Sequence, residues 1–157
     1  MNEVVRKSEG LHLAIGGDRA RLIVSGEDTG GRYSLIEWVV APEPELPGPG
    51  RPDFGAHLHR QCEETFLIVS GSLEFLVGDV VAVLGENDFV RVQAGVPHGY
   101  RNTSGEAVRM LVSFVPGGLE ELFVKYRTDQ DDIPEEGFIA EATRRFASEF
   151  GLPSPAK

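Results

Sequence analysis

The sequence predicts a mainly β protein: a single antiparallel barrel or sandwich of the jelly-roll kind, with helices at its C-terminus. Three observations carry this. Short apolar runs recur from Leu11 to Val115, separated by turn signals at intervals of roughly eight to twelve residues. No helical pattern alternates with them, which argues against a parallel α/β fold. Helical spacing begins only after Pro116-Gly117-Gly118.

Taken in order, Leu11 to Ile15 and Ala20 to Ser25 are rich in Leu, Ile and Val and flank Gly16-Gly17-Asp18, so they read as two strands around a tight turn. Glu27 to Gly31 is a second turn, and Tyr33 to Val40 a third strand. Ala41 to Pro52 contains five prolines, a density that no strand interior or helix survives. It reads as a loop that delivers the chain to His57 and lines the rim of a site there. Thr65 to Val69, Leu73 to Val77 and Val80 to Leu84 are apolar runs joined by Gly71-Ser72 and Gly78-Asp79, a hairpin signal. Phe89 to Gln93, His98 to Asn102 and Val108 to Val115 follow at similar spacing. Leu119, Leu122, Phe123 and Tyr126 then fall at helical spacing, as do Ile139, Ala142, Phe146 and Phe150. Pro134-Glu135-Glu136 opens the second helix, Gly151-Leu152-Pro153 ends it, and Asp129 to Asp132 is a solvated turn between the two. The whole chain, 1–157, reads as one domain, with a barrel core over about 11–115 and a helical extension over about 118–151.

Three of the four histidines lie between Gly55 and Asn102. His57 and His59 are two apart, so an extended chain sends both imidazoles from one face. Glu63 and Glu64 follow after a short polar gap, and His98 returns behind a hairpin. Three neutral imidazoles and one carboxylate form a mixed N/O donor set suited to one divalent ion of Fe, Mn, Ni, Cu or Zn.

These residues also resemble the two motifs of the cupins, small β-barrel proteins with a metal in the barrel. His57, His59, Glu64 and Gly71 match the first motif, and Gly95, His98 and Asn102 the tail of the second. Two positions of the second motif depart: Asn87 stands where Gly is expected and Gln93 where Pro is expected. Asn is the residue after glycine that best tolerates left-handed backbone, so Asn87 can hold the same turn. Neither departure touches a ligand. The resemblance implies that His57, His59, Glu64 and His98 bind the metal. Glu64 fits the motif's six-residue gap to Gly71, and adjacent strand residues face opposite ways, so Glu63 is left exposed or supporting. Cys62 falls where the motif is free, and a lone cysteine more often packs as a small apolar residue than ligates. His12, far upstream, reads as surface or structural.

If Glu64 points inward, Phe66 and Ile68 share its face, and Tyr100 and Asn102 share that of His98. The pocket is then a polar metal floor with aromatic and aliphatic walls, suited to a small organic substrate. Such a donor set leaves coordination positions open, which marks a catalytic rather than a structural site. Glu64 is also the candidate general base, and Tyr100 the nearest hydroxyl. The segment Gly117 to Phe123 strengthens the likeness to single-domain cupins of the quercetin dioxygenase-like group. That likeness implies a dioxygenase acting on a small enolic or aromatic, flavonol- or polyketide-like compound. The alternatives are a non-redox cyclase or isomerase using the metal as Lewis acid, and a non-catalytic small-molecule-binding module.

The bulk properties agree. Fifteen Lys and Arg stand against 25 Asp and Glu, a net charge of −10 that repels nucleic acid and anionic lipid. Neither a membrane-length apolar run nor a signal-peptide core is present, and a single cysteine allows no internal disulfide. A cytoplasmic homodimer is the expectation, paired through the first strands because barrel edges need covering.

Overall fold

The computed structural model describes residues 4–15, 17–43, 54–126 and 135–152. The mainly β jelly-roll expectation holds. Among the described residues ten strands are followed by two helices and a last short strand: β1 (Leu11–Ile15), β2 (Asp18–Val24), β3 (Ser34–Val40), β4 (His57–His59), β5 (Glu63–Ser70), β6 (Leu73–Val77), β7 (Val80–Leu84), β8 (Phe89–Val92), β9 (His98–Arg101), β10 (Val108–Val115), α1 (Glu120–Lys125), α2 (Glu135–Phe146) and β11 (Ser148–Phe150). They form two antiparallel sheets, ordered β1-β2-β3-β10-β5-β8 and β11-β4-β9-β6-β7.

Period-two side-chain alternation explains how the sheets face each other. On β3, Ser34, Ile36, Trp38 and Val40 are buried while the residues between them are partly exposed. On β10, Val108, Met110, Val112 and Phe114 turn inward. On β5, Glu64, Phe66 and Ile68 share the buried face, as strand parity requires. The resulting core joins both sheets and both helices. Asn87 takes φ of 69°, the left-handed turn expected of it, and its N–H donates to the Ile68 carbonyl.

The structure corrects the sequence reading at two places. The second helix does not run on to Gly151: it stops at Phe146, and Ala147, at φ of 48°, turns the chain into β11. Phe150 therefore belongs to a strand, which pairs with β4. Asn102 does not share the pocket with His98. Its side chain donates to the Val40 and Glu106 carbonyls and accepts from Ser104, closing the turn before β10. The apolar run of β7 lies at the edge of its sheet, with Val80, Val81 and Val83 exposed. The proline-rich loop falls, from residue 44, outside the described residues, as do the turn at 129–132 and the helix-opening Pro134. Among the described residues no helix is long and apolar enough to cross a membrane.

Candidate metal centre

The four residues singled out by spacing meet between the sheets. Glu64 comes from β5 in the six-stranded sheet; His57 and His59 on β4 and His98 on β9 come from the other. His57 sits directly opposite His98 in the β4–β9 pair. Ring centroids are 4.5 Å apart for His57–His98, 5.0 Å for His57–His59 and 5.8 Å for His59–His98. One ligand-capable atom from each of the four lies within 4.8 Å of the others. The arrangement is a His/Glu cluster able to hold a metal ion.

The chain is shaped to bring His57 there. An added Cβ at Gly99 would meet the Phe54 carbonyl oxygen at 2.3 Å, so only glycine lets residues 54–56 lie across β9. Those residues run straight into β4, and the Gly55 carbonyl, from a residue at φ of 62°, accepts from His57 Nδ1 at 2.8 Å. Each of the other imidazoles is also held by Nδ1: His98 to the Val96 carbonyl at 3.0 Å, and His59 to Ser148 Oγ at 2.5 Å. A proton on Nδ1 leaves the lone pair on Nε2, facing the cluster.

Glu64 is 4% exposed, His59 5% and His98 2%. Burial opposes ionisation of Glu64, yet the His59 and His98 imidazoles overcome it and hold the carboxyl well below its usual range. For His98, burial disfavours the charged ring, but the Glu64 carboxylate wins and raises its pKa. Burial, with His98 beside it, pushes His57 down to about 4, so this ring is neutral near pH 7. His59 Nε2 lies 2.9 Å from Glu64 Oε1 without forming a hydrogen bond, and His98 Nε2 lies 3.6 Å from Oε2. Glu64 Oε1 and His98 Nε2 are thus buried without hydrogen-bond partners. Both are lone-pair donors, and a divalent cation between them satisfies both, so the residues present fit a metal ion.

The competing residues are placed elsewhere. Glu63 turns outward, where both its oxygens accept from Arg91 at 2.6–2.7 Å. Cys62 is buried and outside the cluster, its thiol against the Glu63 and Pro116 carbonyls. Burial, with Glu64 nearby, pushes that thiol up to about 12. His12 lies on β1 beside a surface groove with Lys7 and Arg19.

Beside the cluster is a cavity of about 210 Å³. Its walls include Trp38, Phe66, Tyr100, Met110, Phe114 and Val112, with Leu122 and Phe123 from α1 and Phe138 from α2. Asp18 accepts from the Trp38 indole at 2.8 Å and fixes that ring. Aromatic contacts run from Trp38 through Phe123, Phe138 and Phe150 to His57. Tyr100 lines the same cavity; burial, Asp18 and Glu64 all raise its pKa, so the phenol keeps its proton.

Sequence reasoning missed Ser148, Phe150 and the helical side of the cavity. Phe150 stacks on His57 at 5.7 Å and 15° between planes. The helical spacing of Ile139, Ala142 and Phe146 happens to extend to Phe150, and nothing about an alanine at 147 announces left-handed backbone.

Comparison with known proteins agrees with this geometry. Residues 47–114 match the model of the cupin domain. The chain is 25% identical over 150 residues to quercetin 2,3-dioxygenase of Bacillus subtilis (strain 168), an alignment covering 94% of this chain. It spans only 42% of that relative's length. Among solved structures it is similar to a "predicted oxalate decarboxylase" of Thermotoga maritima, at TM-score 0.61 and 19% identity over 73% of this chain and 99% of the other. It is also similar to the polyketide cyclase RemF of Streptomyces resistomycificus, at TM-score 0.58 and 20% identity over 73% and 80%. Likeness at these identities shows a shared fold.

Proposed function

We propose that the chain is a cupin and, within that family, a metal-dependent oxygenase acting on a small enolic or aromatic compound. The observation that carries this reading is the convergence of three imidazoles and one carboxylate at the polar end of an otherwise apolar cavity. His57, His59, Glu64 and His98 would hold one divalent ion of iron, manganese, nickel, copper or zinc. When bound, such an ion supplies Lewis acidity and, if redox-active, a place for O₂ beside a chelating substrate.

The chain's own residues define the substrate and move its proton. Glu64 is the one carboxylate lining the cavity among the described residues, and it is ionised and sheltered from water. It can accept the proton of an enol or phenol brought to the cluster, acting as general base. Tyr100, still protonated, can donate a hydrogen bond to a substrate oxygen. Phe66, Phe123, Phe138 and Phe150 offer ring faces and edges to a planar molecule. A sugar or nucleoside would bury hydroxyls with almost no partners on these walls, at about 1–3 kcal/mol each. At 210 Å³ the cavity lies below the roughly 300–1,000 Å³ of drug-sized sites, which favours a compound of one or two rings.

The similarity to a quercetin dioxygenase supports the oxygen-dependent form of the reading, and the fold shared with a polyketide cyclase supports a non-redox cyclase or isomerase on the same site. Oxygen uptake by the metal-loaded protein, with flavonol-like and simple phenolic substrates, separates them. Turnover that consumes O₂ and stops under anaerobic conditions is expected. Equal turnover without oxygen and with zinc would move the assignment to the cyclase or isomerase. Saturable binding with no turnover on any substrate would leave a binding module. The partner is the small molecule together with a second copy of the chain, paired along the outer edge of β1, which has no neighbouring strand among the described residues. Sedimentation at micromolar concentration should give a dimer, and a monomer would refute the pairing.

A further inference from the structure

Two of the three histidines of the cluster touch β11, a strand of three residues that follows α2. Its register is fixed: Ser148 lies opposite His59, Glu149 opposite Leu58 and Phe150 opposite His57. Ser148 is 1% exposed, and its Oγ is the group on Nδ1 of His59, at 2.5 Å. The other two imidazoles rest by Nδ1 on backbone carbonyls within two residues of themselves, so their orientation is set locally. His59 is different, because its support comes from a side chain 89 positions further along the chain.

From this geometry we propose that Ser148 is a positioning residue for His59: its hydroxyl oxygen accepts the Nδ1 proton and so fixes the tautomer and ring angle that aim Nε2 at Glu64. The inference rests on the metal-binding reading above. Several features converge on it. The only non-glycine residue besides Asn87 with positive φ among the described residues is Ala147, immediately before Ser148. An alanine there costs about 1–2 kcal/mol relative to right-handed backbone, and it is the joint that swings the chain out of α2 and places Ser148 against β4. The strand is then held at its middle residue and just past its end. Arg60 on the far side of His59 pairs with Glu149 at 2.6 Å, and the Leu152 N–H donates to the Ala56 carbonyl at 3.1 Å. A buried hydroxyl delivered by a strained joint to the back of a ligand-capable histidine is the arrangement expected of a group that tunes a metal ligand.

The test is metal affinity, measured without turnover by competition against a chelating indicator with Mn²⁺, Co²⁺ and Zn²⁺. Ser148→Ala removes the acceptor and leaves the strand pairing. It should weaken binding by about 10–100-fold, the usual effect of losing a group that orients a metal-bound histidine, while its far-ultraviolet circular dichroism matches wild type. Ser148→Thr keeps the hydroxyl and should recover most of the affinity. Glu149→Ala loosens the exposed strand contact without touching the hydroxyl and should leave affinity within about twofold. Ser148→Ala binding as tightly as wild type, while His59→Ala loses the metal, would overturn the role of Ser148 alone. So would an equal loss in Glu149→Ala, which would assign the effect to strand docking. A wild-type chain that binds none of the three ions would overturn the metal-binding reading itself.

Discussion

If the His57, His59, Glu64 and His98 cluster binds a metal, binding must appear as folding stability, because these side chains are brought together only in the folded chain. In the metal-free site Glu64 Oε1 and His98 Nε2 are buried without partners. Two such atoms hold about 2–6 kcal/mol of unmet desolvation cost between them, at roughly 1–3 kcal/mol each. A ligand that binds only the native state, at a free concentration near one thousand times its Kd, adds about 4 kcal/mol, inside that window. For a domain of this size each kcal/mol moves Tm by about 2–4 °C, so saturation should raise Tm by roughly 8–16 °C. The assay is thermal unfolding of chelator-treated protein, followed with and without Mn²⁺, Fe²⁺, Co²⁺, Ni²⁺ or Zn²⁺. His59→Ala removes one donor from the middle of the cluster and should lose most of that rise. If no ion raises Tm in the wild type, or if His59→Ala shows an equal rise, the buried lone pairs are not a metal site and the reasoning fails.

Glu64→Gln keeps an oxygen donor but removes charge and basicity, so turnover should fall at least tenfold more than metal content, as measured by elemental analysis beside steady-state rates; full activity would show that Glu64 is not the base. Tyr100→Phe deletes only the hydroxyl from the cavity wall and should lower kcat with metal content unchanged; an unchanged kcat would remove Tyr100 from catalysis. Cys62, buried and with its thiol pushed up to about 12, should resist a thiol-reactive dye in native buffer at pH 8 and react fully in denaturant. Rapid native labelling would contradict its packing. Gly99→Ala would drive a Cβ into the Phe54 carbonyl and displace the approach to His57, so stability and metal affinity should fall together; a variant with wild-type metal affinity would free His57 from that contact.

The sequence by itself determined the strands and which four side chains meet in the cluster. Period-two alternation on β3, β5 and β10 reports which residues are buried, because a pleated strand in a two-layer fold has one wet and one dry face. The same parity separates Glu64 from Glu63, and the structure places the first against the imidazoles and the second on Arg91. The left-handed turn at Asn87 was equally legible, since few side chains tolerate that backbone. Other features were decided only by tertiary structure. Apolar β7 ends exposed because its fate depends on being last in its sheet, which composition does not encode. Asn102 turns to the Val40 carbonyl because a buried amide takes the nearest acceptor, whatever its strand parity suggests. Ser148 and Phe150 meet His59 and His57 across some ninety residues of chain, through a bend at an alanine that carries no turn signal. Local patterns record which face of an element is dry; they do not record which distant element will come to lie against it.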